Sequence, residues 1–197
     1  MLNKPIEIPG VRIVTISGRI GAGSTSLAKS LSKLFGWKHL EGGEIFWEAV
    51  RKKMGLDPKD TDLRPDEEDM LFDEQLKKIL REDSDVILET KLAGFNAQNI
   101  DGVFKILVVC EDRNGVDQAA IRIDRLVNRE HVSVDEAKQE VVEREKNDLE
   151  KWRKMYAAGN TEWVYYNPSY YDLVINTFDH NPEESVKLAL SALNISA

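Results

Sequence analysis

Short apolar runs alternate along this chain with longer stretches of helical periodicity. Residues 11–17, 38–40, 86–89, 104–110 and 173–176 read as strands. Several are continuous apolar runs, the pattern of parallel strands covered on both faces. Apolar positions three and four apart predict helices over 25–35, 45–54, 64–81, 116–129, 134–156 and 183–193. The last has a marked start, with Asn181 as N-cap, Pro182 at the first position and Glu184 three residues after the cap. Strands alternating with helices predict an α/β fold on a parallel sheet. Two segments read as insertions on one domain. Residues 42–85 carry two helices between the second and third strands, and 112–166 are long, charged and helical between the fourth and fifth. The core is then 11–41, 86–111 and 167–197.

A net charge of −8 over 197 residues argues against a nucleic-acid surface, which needs a basic face. The single Cys110 lies in the apolar run ILVVC and reads as a core residue. One cysteine forms no internal disulfide, which suits a reducing compartment. No apolar run approaches the ~20 residues of a membrane span, and the N-terminus lacks a signal pattern. The expectation is a cytoplasmic monomer with small-molecule partners, without nucleic acid or membrane.

The strongest chemical signal is Gly18-Arg19-Ile20-Gly21-Ala22-Gly23-Ser24-Thr25, between the first strand and first helix. It fits the phosphate-binding pattern GxxxxGK[ST] except that Ser24 stands where the lysine belongs. Glycines allow backbone N–H groups to converge on phosphate oxygens, and the helix adds its positive end. Positions 18–26 are therefore candidate donor-phosphate contacts, Ser26 included, and Thr25 supplies a hydroxyl for magnesium. The segment 112–166 holds Arg122, Arg125, Arg129, Arg144 and Arg153. These are either a solvated helical face or a lid that carries charge to a phosphate chain. Glu145 and Asp148 lie near them by helical spacing. His39, His131 and His180 have no metal spacing. The aromatic stretch 163–172 reads as packing of the lid's return on the sheet.

Four ordered landmarks make the chain resemble the nucleoside monophosphate kinases, most closely the archaeal-type cytidylate kinases. ISGRIGAGSTSLAK stands where that family shows ISGPPGSGKSTVAK, and GGEIFW where it shows AGDIFR. LETKLAGF stands for LEGRLAGW, and YDLVINT matches without a break. The resemblance covers roughly residues 11–193. It implies a P-loop fold with a five-stranded parallel sheet, an NMP-binding insertion and a lid. It implies transfer of the ATP γ-phosphoryl group to CMP or dCMP, with ATP and Mg²⁺ as cofactors. By position, Arg125, Arg129, Arg144 and Arg153 would act on the phosphates. Gly43, Glu44, Trp47, Arg51, Lys91 and Gly94 would form the acceptor site, and the base would lie near residues 177–180.

The departures fall on the landmarks: Ser24 for lysine, Trp47 for arginine and Lys91 for arginine. Losing one transition-state cation costs ~3–4 kcal/mol, or roughly 10²–10³ in rate. Three readings follow. Arg19 or Arg51 supplies the missing charge; or the chain binds nucleotide and transfers poorly; or the acceptor has changed. The competing functions are accordingly a nucleoside monophosphate kinase, a nucleotide-binding switch, and a P-loop kinase for another small phosphate acceptor.

Overall fold

The computed structural model describes residues 5–46, 48, 52, 55 and 66–195. Five parallel strands form one sheet in the order β2-β3-β1-β4-β5. They are β1 Ile13–Gly18, β2 Lys38–Glu41, β3 Val86–Glu89, β4 Val103–Val109 and β5 Leu173–Asn176. β1 is buried along its whole length and pairs with β3 on one side and β4 on the other. Its neighbours therefore run away in opposite directions from it, and the crevice at their carboxyl ends is where ligands bind in such sheets.

The two faces have separate cores. Val14, Ile16, Ile87, Ile106 and Val108 pack with Leu31 and Phe35 of α1 (Ser24–Phe35) and with Leu190 of α8 (Pro182–Ala192). Ile13, Val86 and Leu88 pack on the other face with Leu76 and Leu80 of α3 (Asp66–Glu82). Each such side chain taken fully from water stabilises by ~1.5–3 kcal/mol. α8 begins at the expected place, with Asn181 and Glu184 in a reciprocal capping box. α1 ends at Gly36, whose φ of 68° closes it.

Strand positions match the hydrophobic pattern to within a residue or two, and Cys110 is buried. The helix expected from 116 instead begins at Ala119, as α5 (Ala119–Glu130). Asp112 accepts from the backbone N–H of Asn114 and Val116, and Gly115 takes φ 75°, so 112–118 is a tight turn. Of the helix expected over 45–54, α2 (Gly42–Phe46) is seen, and most of the remainder lies outside the described residues. A short α4 (Ala93–Asn96) follows β3 and was not expected. The long helix expected over 134–156 is α6 (Val134–Lys138), a π-helical stretch Gln139–Arg144, and α7 (Glu145–Ala157). Ser133 and Glu136 form the capping box that starts it.

Trp163, Tyr165 and Tyr170 pack with Phe95 of α4 and with Trp152 and Tyr156 of α7, so the aromatic stretch joins α7 to α4 rather than packing directly on strand residues. Tyr171 lies on Gly94: a Cβ there would stand 2.2 Å from its ring. α3 and α7 also touch through Lys151 and Asp69, 2.5 Å apart, and through Tyr156, whose hydroxyl donates to Asp73. Among the described residues no helix is long and apolar enough to cross a membrane.

Candidate active site

The loop from Gly18 to Thr25 wraps the end of β1 and opens onto the first turn of α1. Gly21 has φ 77° and Gly23 φ 111°, conformations that L side chains rarely adopt. Gly21 also has no room for a side chain, since a Cβ would lie 2.5 Å from the Arg122 carbonyl oxygen. The bend is therefore fixed from two directions, by glycine at the turn and by α5 pressed against it.

One carboxylate organises the hydroxyl side of the loop. Glu89 ends β3, beside Ile16 of β1 in the strand register, and is buried. Its Oε1 accepts from Thr25 Oγ1 at 2.6 Å and from Ser24 Oγ at 3.2 Å. Its Oε2 lies 2.9 Å from His39 Nε2 on β2. Thr25 and Glu89 thus bring hard oxygen donors together at a helix N-terminus, a donor set suited to Mg²⁺. The sequence reading missed Glu89. Its signal was an acid closing an apolar strand inside the LETKLAGF landmark.

On the other side of the loop, four charged residues close a ring. Arg19 Nη2 lies 2.5 Å from Glu145 Oε1, and its Nη1 3.1 Å from Asp117 Oδ1. Arg122 binds Asp117 through Nε at 2.9 Å and Nη2 at 2.7 Å, and reaches Glu145 Oε2 at 3.2 Å. Arg122 also donates to the Ile20 carbonyl at 2.7 Å. Two guanidinium groups and two carboxylates cancel, which is how Arg122 and Glu145 are buried almost completely. The ring borders a cleft of about 210 Å³ that Lys146 and Arg153 also line.

The expected cations are therefore distributed unevenly. Arg19 is neither exposed nor free: Glu145 and Asp117 balance it, and its guanidinium lies over the Tyr166 ring, 4.9 Å from its centre. Arg125 faces the loop but is held by Thr177, through its Oγ1 and its carbonyl, both at 2.8 Å. Thr177 Oγ1 in turn donates to the Ala22 carbonyl at 2.7 Å. Arg129 and Arg144 are exposed and paired with Glu130 and Glu140 on their own helices. Arg153 Nε donates to the Trp163 carbonyl at 3.0 Å. Glu145 and Asp148 pair across elements: Asp148 holds Lys91 Nζ at 2.7 Å. Burial pulls the Lys91 ammonium below its ordinary pKa, against the Asp148 charge that raises it.

Gly94, expected in the acceptor site, is buried under Tyr171 and donates its N–H to Ser17 Oγ at 3.0 Å. Gly43 and Glu44 are exposed on α2, and Ser26 is exposed on α1. Trp47 and Arg51 lie outside the described residues. No group of three metal-binding side chains occurs among the described residues.

No protein-family model matches the chain. Individual relatives do. A cytidylate kinase from Pyrococcus abyssi is 30% identical, over 94% of this chain and 95% of the relative. One from Natronomonas pharaonis is also 30% identical, over 94% and 91%. The chain belongs to the cytidylate kinase family. Among solved structures, an uncharacterized protein from Eubacterium ventriosum matches with a TM-score of 0.63 at 16% identity, over 93% of this chain and 98% of that one. Shikimate kinase from Bacteroides thetaiotaomicron matches with a TM-score of 0.59 at 14% identity, over 93% and 99%. At such identities these neighbours speak for the fold. The cytidylate kinase family therefore includes a chain with serine at the P-loop lysine position and a neutral ring behind the loop.

Proposed function

We propose that this protein transfers the γ-phosphoryl group of ATP to CMP or dCMP. The observation that carries the reading is the Thr25–Glu89 contact at the end of a glycine loop with two left-handed glycines. A loop that only turned a strand into a helix would not need a buried carboxylate aimed at that hydroxyl. Thr25 and Glu89 would hold Mg²⁺, which when bound draws charge from the phosphate oxygens. The backbone N–H groups of 20–25 would cradle the donor phosphates. The acceptor phosphate is largely ionised near neutral pH, its second pKa being about 6, so its oxygen attacks without a general base. The chain's task is then alignment and charge neutralisation. Residues 42–85 are read as the acceptor arm and 112–166 as the lid, with Lys146 and Arg153 facing the cleft beside the loop. Neither has a carboxylate partner among the described residues.

A specific observation favours a second reading. Ser24 brings no charge, and Arg19 is already neutralised by two carboxylates. This supports a nucleotide-binding protein of weak or no kinase activity. A coupled assay with ATP, Mg²⁺ and a panel of nucleoside monophosphates separates the two. Turnover highest on CMP or dCMP is the expected result. ATP binding without turnover on any acceptor selects the second reading.

A further inference from the structure

We propose that His39 is a positioning residue for Glu89, fixing the carboxylate that meets the Thr25 hydroxyl. The inference rests on the reading of Thr25 and Glu89 as the Mg²⁺ donors. Strand register sets it up. His39 pairs with Ile87, two residues before Glu89, and side chains two apart share a sheet face. The imidazole therefore lies along the same face as the carboxylate and reaches it at the strand ends. Nε2 stands 2.9 Å from Glu89 Oε2, while Oε1 is turned to Thr25 at 2.6 Å.

A carboxylate accepts only, so Nε2 must carry the hydrogen of that contact. Glu89 is thus gripped at one oxygen and presented at the other. Without the grip, the carboxylate would be held through Oε1 alone, by the Thr25 and Ser24 hydroxyls, and its orientation would rest on them. Ser24 sharpens the need. It donates a neutral hydroxyl to Oε1 at 3.2 Å where the family's lysine would bring a full charge. Outer-shell partners that orient a ligating carboxylate are worth about 10–100-fold in metal affinity.

The test measures Mn²⁺ binding to the protein–ADP complex, read from loss of the free-ion EPR signal. His39→Leu is expected to weaken Mn²⁺ by about tenfold or more. His39→Gln, whose amide nitrogen extends about as far as Nε2, should stay near the wild-type value. His39→Asn, with a shorter reach, should resemble His39→Leu without adding an apolar side chain. Thr25→Ala serves as the reference and should also weaken the ion. Unchanged Mn²⁺ affinity in His39→Leu and His39→Asn, with Thr25→Ala weakened, overturns the role of His39 alone. A Gln variant as weak as the Leu variant overturns it as well. If Thr25→Ala binds Mn²⁺ as well as wild type, the metal reading of this loop falls and His39 falls with it.

Discussion

Removing Glu145 should damage the protein more than its position in a charged helix suggests. Its side chain is 3% exposed and receives Arg19 and Arg122, the latter 1% exposed. Glu145→Ala leaves two guanidinium groups facing the single carboxylate of Asp117, so the neutral ring acquires a buried positive charge. Breaking a buried pair from one side costs about 3–5 kcal/mol. For a chain of this size, at ~2–4 °C per kcal/mol, the midpoint should fall by roughly 6–20 °C. Arg19→Ala should cost less, about 1–3 kcal/mol, because Arg19 is partly exposed and leaves Glu145 still paired with Arg122. The double variant is the decisive one. It keeps the two-point Arg122–Asp117 pair and restores neutrality, so its cost should fall short of the sum by about 0.5–3 kcal/mol. Urea unfolding followed by far-ultraviolet circular dichroism gives all four corners of the cycle. Additivity within ~0.5 kcal/mol, or a Glu145→Ala loss below 1 kcal/mol on the scale expected for exposed pairs, would refute the ring as a coupled unit.

Ser24→Lys should raise kcat by about 10²–10³, the worth of one transition-state cation; an unchanged kcat in a steady-state assay would mean that another group already neutralises the phosphates. Arg125→Ala should lower thermal stability along with activity, since Arg125 ties Thr177 and α5 to the loop, and an activity loss at unchanged melting temperature would show it free to act on phosphate. Burial raises the Asp73 carboxyl above its ordinary pKa, against hydrogen bonds from Tyr156 and Asn96 that lower it. Its contribution is therefore complete below the unfolded value, near pH 4, and is lost as pH rises through the folded one. Asp73→Asn should remove that decline, and parallel pH–stability curves for variant and wild type between pH 4 and 7 would contradict the assignment.

The fold was legible because buried parallel strands are apolar runs and the helices between them keep one face. The α5 boundary was misplaced because Asp112 and Gly115 build a turn whose chemistry overrides the apolar spacing of 116–118. The loop was legible from its glycines, spaced as a phosphate-binding loop requires, with Gly21 and Gly23 at positive φ. What lay beyond reach was pairing at long separation. Arg19 meets Glu145 across 126 residues, and Thr25 meets Glu89 across 64. Periodicity speaks of one element at a time, so arginines in the lid could be counted but not sorted. Arg122 is sealed, Arg125 is tethered, and Arg129 and Arg144 face solvent.

Gly94 and Tyr171 bear on how this chain can drift over generations. They sit 77 positions apart in sequence, in two different landmarks, yet the ring of one occupies the volume where the other would grow a side chain. The tyrosine hydroxyl is anchored at 2.7 Å to the Tyr165 carbonyl, so the ring has little latitude to step aside. An ancestor could not have enlarged residue 94 first, nor can a descendant, unless residue 171 has already shrunk. The order of substitutions is constrained, and the viable route passes through an intermediate with a void at 171. Such a barrier ties residue 94 to residue 171 for reasons of volume alone, whatever residue stands at the P-loop lysine position.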